Sequence, residues 1–204
     1  TVFLADWHSW INNKLGGKME NIHTCGEYFK ECFTALGIPP EKAHYLWAAD
    51  IAKDIDYWEK VIRIGKTATL QRIWRALPIM GREMSLSDME TAWVYYPCMQ
   101  AADIFHMELD VACAGIDQRK AHMLARDAAE KLDWKKPVCV HTSLLIGLQG
   151  LQKSESKFDE DNEMNLQISS KMAKSQPKTC IFVHDSPEDI RDKIKTAYCP
   201  PKEV

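Results

Sequence analysis

The spacing of apolar positions changes several times along this chain, and each change marks an element. Val2–Ala5 is a short apolar run of the kind a buried strand uses. Apolar residues then fall at Ile22, Cys25, Tyr28, Phe29, Cys32, Phe33 and Leu36, the threes and fours of one helix face, until Gly37 and Pro39-Pro40 stop it. Tyr45–Ala48 reads as a second strand. Residues 54–107 read as almost wholly helical, with Ser87-Asp88-Met89-Glu90 as a capping box for a helix through Trp93. A strand over Leu109–Ala114, a turn at Gly115, a helix from near Gln118 and a strand over Val138–His141 follow. Gln152–Asn165 is polar and acidic without periodicity and reads as a mobile loop. Cys180–Val183 returns to strand. Ser186-Pro187-Glu188-Asp189 then opens a last helix, with serine at the cap, proline at the first position and acids in the first turn. Pro200-Pro201-Lys202 reads as a linker-like exit.

Strands alternating with helices predict an α/β domain with a parallel sheet covered by helices. The helical stretch at 54–107 reads as an insertion packed beside that sheet. Because the chain opens with Thr1 and goes straight into a core-like strand, an upstream segment is expected. No run approaches the roughly eighteen apolar residues of a membrane span, and no secretory signal pattern is seen.

Composition changes the picture little. Seven cysteines are scattered, form no C-x-x-C pair, and show no Cys/His spacing of a zinc site; most sit in apolar runs and read as reduced core thiols of a cytoplasmic protein. The net charge of -3 does not suggest nucleic-acid binding, which usually shows a basic face. Basic residues are local instead: Arg119-Lys120, Lys135-Lys136 and Lys171–Lys178.

Three constellations carry chemistry. Tyr96, Gln100 and Asp103 are spaced i, i+4 and i+7, so a helix puts them on one face among apolar neighbours, with Pro97 able to kink it. Such a stripe either faces water or lines a pocket for a small polar ligand, because burying it demands a partner for each group. Gly115-Ile116-Asp117-Gln118-Arg119-Lys120 is a strand–glycine–helix junction, where open α/β sheets bind ligands; an acid there can hold ribose hydroxyls, or simply be solvated. Lys171-Met172-Ala173-Lys174-Ser175 is either a solvated basic loop or a phosphate clamp. The absence of G-x-G-x-x-G argues against a dinucleotide cofactor, and no metal-binding histidine pair or nucleophile elbow stands out. His8 is the histidine to watch, since it closely follows the first strand.

In this order, Leu4-Ala5-Asp6-Trp7-His8, Tyr96-Pro97-x-Met99-Gln100-x-x-Asp103-Ile104, Gly115-x-Asp117-Gln118-Arg119-Lys120-x-His122-Met123 and Lys171–Ser175 resemble archaeal and eukaryotic tyrosyl-tRNA synthetases. Phe182-x-His184-Asp185-Ser186-Pro187-Glu188 and Tyr198-Cys199-Pro200 extend the resemblance over nearly the whole chain. It implies a Rossmann-like class I catalytic domain whose helical insertion forms much of a homodimer interface. It also implies ATP-dependent activation of L-tyrosine to tyrosyl-adenylate and transfer to tRNA(Tyr), with ATP as a substrate accompanied by Mg2+ and no tightly bound cofactor. Family roles fall on Tyr96, Gln100 and Gln118 for the ammonium end of tyrosine, Asp103 for its hydroxyl, and Phe3, Ala5 and His8 for the ring pocket. Gly115 and Asp117 would meet adenosine. Lys174, with Lys171, Met172 and Ser175, would serve the ATP phosphates, and Arg119 and Lys120 the acceptor stem.

The chain departs from the family pattern in three ways. Ala173 stands where the K-M-S-K-S motif has serine, removing one possible phosphate hydrogen bond. The family's H-I-G-H-type segment is expected upstream of Thr1, and its anticodon-binding domain downstream of the region from about 151 to 204. The rival readings are a tryptophanyl-tRNA synthetase and a synthetase-like RNA-binding protein without catalysis; Asp103 with Gln118-Arg119-Lys120 argues against the first.

Overall fold

The structure, a computed structural model, describes residues 1–80, 89–152, 162–174 and 176–200. It divides into two compact units, one of residues 1–112 and 118–140, the other of residues 113–117 and 141–204.

In the first unit, β1 (Val2–Leu4) pairs in parallel with β2 (Tyr45–Trp47), Val2 opposite Tyr45 and Leu4 opposite Trp47. Between them lie α1 (Asp6–Ile11) and α2 (Met19–Ala35). The β–α1 junction is fixed by Asp6, which is fully buried. Its Oδ1 accepts the Trp7 and Ala49 N–H groups at 2.9 and 3.0 Å, and His23 Nε2 meets its Oδ2 at 2.9 Å. A buried carboxylate with this many partners recovers much of its desolvation cost. The helix predicted from Ile22 begins at Met19, but Tyr28, Phe29 and Leu36 of its apolar face are exposed; Ile22 and Gly26 are its buried positions.

Helices dominate the span from 54. After α3 (Ala48–Ile51) come α4 (Ile55–Thr67), capped by Asp54 accepting from Asp56 N, and α5 (Leu70–Ala76), capped by Thr69 accepting from Arg72 N. Helix α6 (Tyr95–His106) packs against α4 and against α7 (Arg119–Leu132). Alanines let these helices approach closely: Ala101 and Ala102 on α6, and Ala121, Ala125 and Ala128 on α7, are fully buried. Tyr57, Val61 and Ile64 of α4, spaced i, i+4 and i+7, complete this core with Met99, Ile104 and Leu124. Pro97 lies in the first turn of α6, where no intrahelical N–H bond is due, so it does not break the helix. Of the predicted capping box, Ser87 and Asp88 lie outside the described residues.

Strands β3 (Val111–Gly115) and β4 (Val138–Thr142) pair with each other, and the division between units falls within them. In the second unit, two expectations are corrected. The acidic stretch read as loop up to Asn165 turns helical at α8 (Asn162–Ser170). Two of its three buried residues are polar, Asn165 and Ser170, so apolar spacing could not reveal it. Cys180–Val183 is not a strand. Asp185 takes the Phe182 N–H at 2.7 Å and Asp185 N returns to the Phe182 carbonyl at 3.1 Å, a turn that removes Phe182 from any strand ladder. Helix α9 (Pro187–Lys195) opens on the predicted serine cap, and the structure adds a full capping box: Ser186 Oγ accepts from Asp189 N, and Asp189 accepts from Ser186 N. Among the described residues, no helix is long and apolar enough to cross a membrane.

Candidate functional site

The polar stripe on α6 turns into the protein: Asp103 is buried, and Tyr96 and Gln100 are half-buried. Asp103 is only 4% exposed. The Tyr57 hydroxyl donates to its Oδ1 at 2.9 Å and lies 3.5 Å from the Met99 carbonyl. On the other oxygen, His8 Nε2 stands 3.1 Å from Oδ2, close but off the line of a hydrogen bond. An uncompensated carboxylate at this depth would cost several kcal/mol. The site therefore keeps a charge or a proton acceptor in an apolar wall and gives it neighbours that hold it there.

Aromatic rings complete the wall. His8, 3% exposed, meets the Tyr96 ring edge-on at 5.1 Å and the Phe3 ring edge-on at 6.1 Å. Its Nδ1 is buried without a hydrogen-bond partner among the described residues. Ala5 is the residue from which α1 starts, next to the end of β1. The end of β1 and the first turn of α1 thus bring Phe3 and His8 together, with Ala5 between them in the chain.

Toward the start of α6 the chemistry changes from carboxylate to amide. Gln100 Nε2 donates to Gln118 Oε1 at 3.1 Å, and Gln118 Nε2 donates to the Ile79 carbonyl at 3.2 Å. This relay fixes which end of each amide is which. It leaves Gln100 Oε1 buried with no partner among the described residues, an acceptor fit for an ammonium donor. Tyr96, Gln100, Asp103, Gln118, His8 and Phe3 are therefore gathered in the first unit, linked by contacts among themselves.

Sequence reading missed Tyr57, whose place in the Tyr57–Val61–Ile64 stripe reads as core packing. The one signal available was a hydroxyl inside an otherwise apolar stripe. Burial first, and then the charge and hydrogen bond of Asp103, push this phenol far above its usual range, so it remains a donor. Asp6 was also passed over as a buried hub.

In the second unit the glycine junction and the lysine-rich segment meet. Lys171 Nζ lies 2.9 Å from Asp117 Oδ2, with the two side chains 31% and 20% exposed. A Cβ on Gly115 would stand 2.7 Å from Asp117 Oδ1 and 3.1 Å from Leu144 Cδ2, so glycine is what lets this carboxylate lie against the backbone. Met172 N donates to the Leu145 carbonyl at 2.8 Å, and Lys171 forms a bridge with Ile146, which anchors the start of the segment. Lys174 is exposed and Ser175 lies outside the described residues. Arg119 and Lys120 open α7 in the first unit, Arg119 exposed and Lys120 half-buried. Among the described residues, no three His, Cys, Asp or Glu side chains cluster to hold a metal ion.

A parallel strand pair with helices at its strand ends, packed with a helical layer that carries a buried carboxylate, defines an α/β domain. Comparison with known proteins gives the family: residues 1–167 match the family described as tRNA synthetases class I (W and Y), and the chain belongs to it. It is 48% identical over 200 residues to a protein of Sulfurisphaera tokodaii named tyrosine–tRNA ligase, covering 98% of this chain and 54% of that one. Among solved structures, it is similar to tyrosyl-tRNA synthetase of Pyrococcus horikoshii complexed with L-tyrosine, with a TM-score of 0.87 and 43% identity over 100% of this chain and 58% of that one. The Aeropyrum pernix tyrosyl-tRNA synthetase gives a TM-score of 0.82 and 44% identity over 100% and 55%. The α/β fold is thus the Rossmann-like class I synthetase fold. The chain spans about half the length of the curated relatives it matches.

Proposed function

We propose that this chain forms the amino-acid-binding and nucleotide-binding part of a tyrosine–tRNA ligase, which activates L-tyrosine with ATP and passes the tyrosyl group to tRNA(Tyr). The observation that carries the reading is Asp103, a buried carboxylate with a fixed neighbour on each oxygen, set among the Phe3, His8 and Tyr96 rings. A phenol is the amino-acid side chain that such a wall accepts: the ring fills the apolar part and its O–H donates to the carboxylate. Phenylalanine would leave the carboxylate without that donor, and a site of this type rejects it by a factor of about 10^5, a figure for which a tyrosyl synthetase is itself the standard example. The named relatives and the L-tyrosine complex of the Pyrococcus protein support the same substrate.

In this reading Tyr96, Gln100 and Gln118 receive the ammonium group, the free Gln100 Oε1 being an acceptor placed for it. Gly115 and Asp117 receive the adenosine part of ATP. Lys171, Met172, Lys174 and Ser175 serve its phosphates, with lysine charge offsetting that of departing pyrophosphate. The carboxylate of tyrosine attacks the α-phosphorus, the bond to the β-phosphate oxygen breaks, and pyrophosphate leaves. Alignment of the two substrates supplies much of the acceleration, since the step needs no covalent help from protein. Magnesium enters as the companion of the ATP phosphates. Arg119 and Lys120 at the start of α7 approach the acceptor stem, and the protein works as a cytoplasmic homodimer.

The test is exchange of radiolabelled pyrophosphate into ATP by protein made from the complete open reading frame. Stimulation by tyrosine is expected. Stimulation by tryptophan, the other amino acid the family handles, or by neither, overturns the reading.

A further inference from the structure

Asp103 has two oxygens, and a freely turning carboxylate would offer a substrate hydroxyl several acceptor positions. In this structure it cannot turn freely. Tyr57, 1% exposed on α4, reaches across to α6 and donates to Oδ1 at 2.9 Å, while its oxygen also lies 3.5 Å from the Met99 carbonyl one turn before Asp103. The Tyr57 ring is itself clamped edge-on by Trp58 at 5.3 Å and by His106 at 5.5 Å. The ring is buried between these neighbours, and the phenol stays protonated for the reasons of burial and charge already given. Tyr57 thus occupies Oδ1 from the helix side, and the other oxygen, Oδ2, lies on the His8 side.

From this geometry we infer that Tyr57 is a positioning residue for amino-acid selection: its hydroxyl fixes the Asp103 carboxylate so that one oxygen is presented to the substrate phenol. The inference rests on the reading of Asp103 as the acceptor of the tyrosine hydroxyl. It assigns Tyr57 no contact with substrate. Its effect passes through Asp103 and concerns only amino acids that carry a hydroxyl. Loss of a hydrogen bond to a charged group in a buried site typically changes an equilibrium about tenfold or more, which sets the scale expected.

The experiment uses full-length protein and pyrophosphate exchange with tyrosine and, at high concentration, phenylalanine. Tyr57→Phe keeps the ring between Trp58 and His106 and removes only the oxygen. We expect KM for tyrosine to rise about tenfold, with kcat and KM for ATP nearly unchanged and phenylalanine activation unchanged. Tyrosine over phenylalanine selectivity then falls by the same factor. Phenylalanine activation, measured on the same preparation, reports the folded fraction, so a misfolded variant shows itself as an equal loss with both amino acids. That equal loss, or an unchanged or lower KM for tyrosine, overturns the inference. Asp103→Asn measured alongside separates the two claims. If it loses tyrosine activation while Tyr57→Phe behaves as the unaltered protein, the Tyr57 role falls and the Asp103 reading stands. If Asp103→Asn activates tyrosine normally, the reading and the inference fall together.

Discussion

Asp103 and Asp117 are both carboxylates held by a neighbour, in different units and in opposite surroundings. Asp103 is 4% exposed and lies among helices α4 and α6, with its partner Tyr57 fully buried. Asp117 sits in a turn with its partner Lys171, and both side chains reach solvent. The first pair is a neutral donor on an acceptor in a dry core, where an unmet hydrogen bond is costly and the geometry is rigid. The second is a partly exposed ion pair of the kind worth about 0–1 kcal/mol, which a ligand bringing its own charges can exchange. Discrimination between a hydroxyl and its absence needs the former. Handling a nucleotide that must enter, react and leave as pyrophosphate suits the latter.

The contrast can be broken at several points, with effects of decreasing size. Asp103→Ala removes the buried acceptor and should lower tyrosine-dependent exchange by about 10^3-fold or more, leaving Tyr57 without its partner; the assay is pyrophosphate exchange. Lys171→Ala should reduce kcat for exchange by about 10^2-fold while KM for tyrosine stays within about twofold, because charge at the phosphates matters only as pyrophosphate departs. Gly115→Ala pushes the Asp117 carboxylate off its present position, and KM for ATP should rise about tenfold with KM for tyrosine unchanged. A shift in the tyrosine KM in either of these last two variants would show that the two regions are not specialised as proposed.

Two further changes touch stability alone. At Gly26 an added Cβ would lie 2.2 Å from the Trp47 ring, so Gly26→Ala should destabilise by about 1–3 kcal/mol despite alanine's better helix propensity. Chemical unfolding followed by tryptophan fluorescence measures it. Ser186→Ala breaks the α9 capping box and should cost about 1 kcal/mol, visible as faster amide exchange in the first turn of α9.

How much of this was legible beforehand depends on the kind of residue. The helix face of Tyr96, Gln100 and Asp103 follows from spacing, and so does the Ser186 cap, because both rest on local geometry. That Asp103 on this face is buried does not follow from spacing. It depends on Tyr57 and His8 arriving from other elements to meet Asp103. Tyr57 escaped notice because its ring packs as any core residue does and only its oxygen carries the message. Helix α8 was hidden because its buried residues include Asn165 and Ser170, the latter holding the Gln152 N–H at 2.7 Å. The strand expected at Cys180–Val183 failed because Asp185 competes for the Phe182 N–H. Lys193 and that same N–H hold the Asp185 carboxyl below the usual carboxylate range.

The most direct test of the account is a diffraction structure of the full-length protein with L-tyrosine bound. The phenolic oxygen should lie within about 2.5–3.0 Å of the Asp103 carboxylate, with the ring beside Phe3 and His8 and the Tyr57 hydroxyl still on Oδ1. A tyrosine ring bound elsewhere, or one whose hydroxyl meets water while Asp103 keeps only its present neighbours, would contradict it.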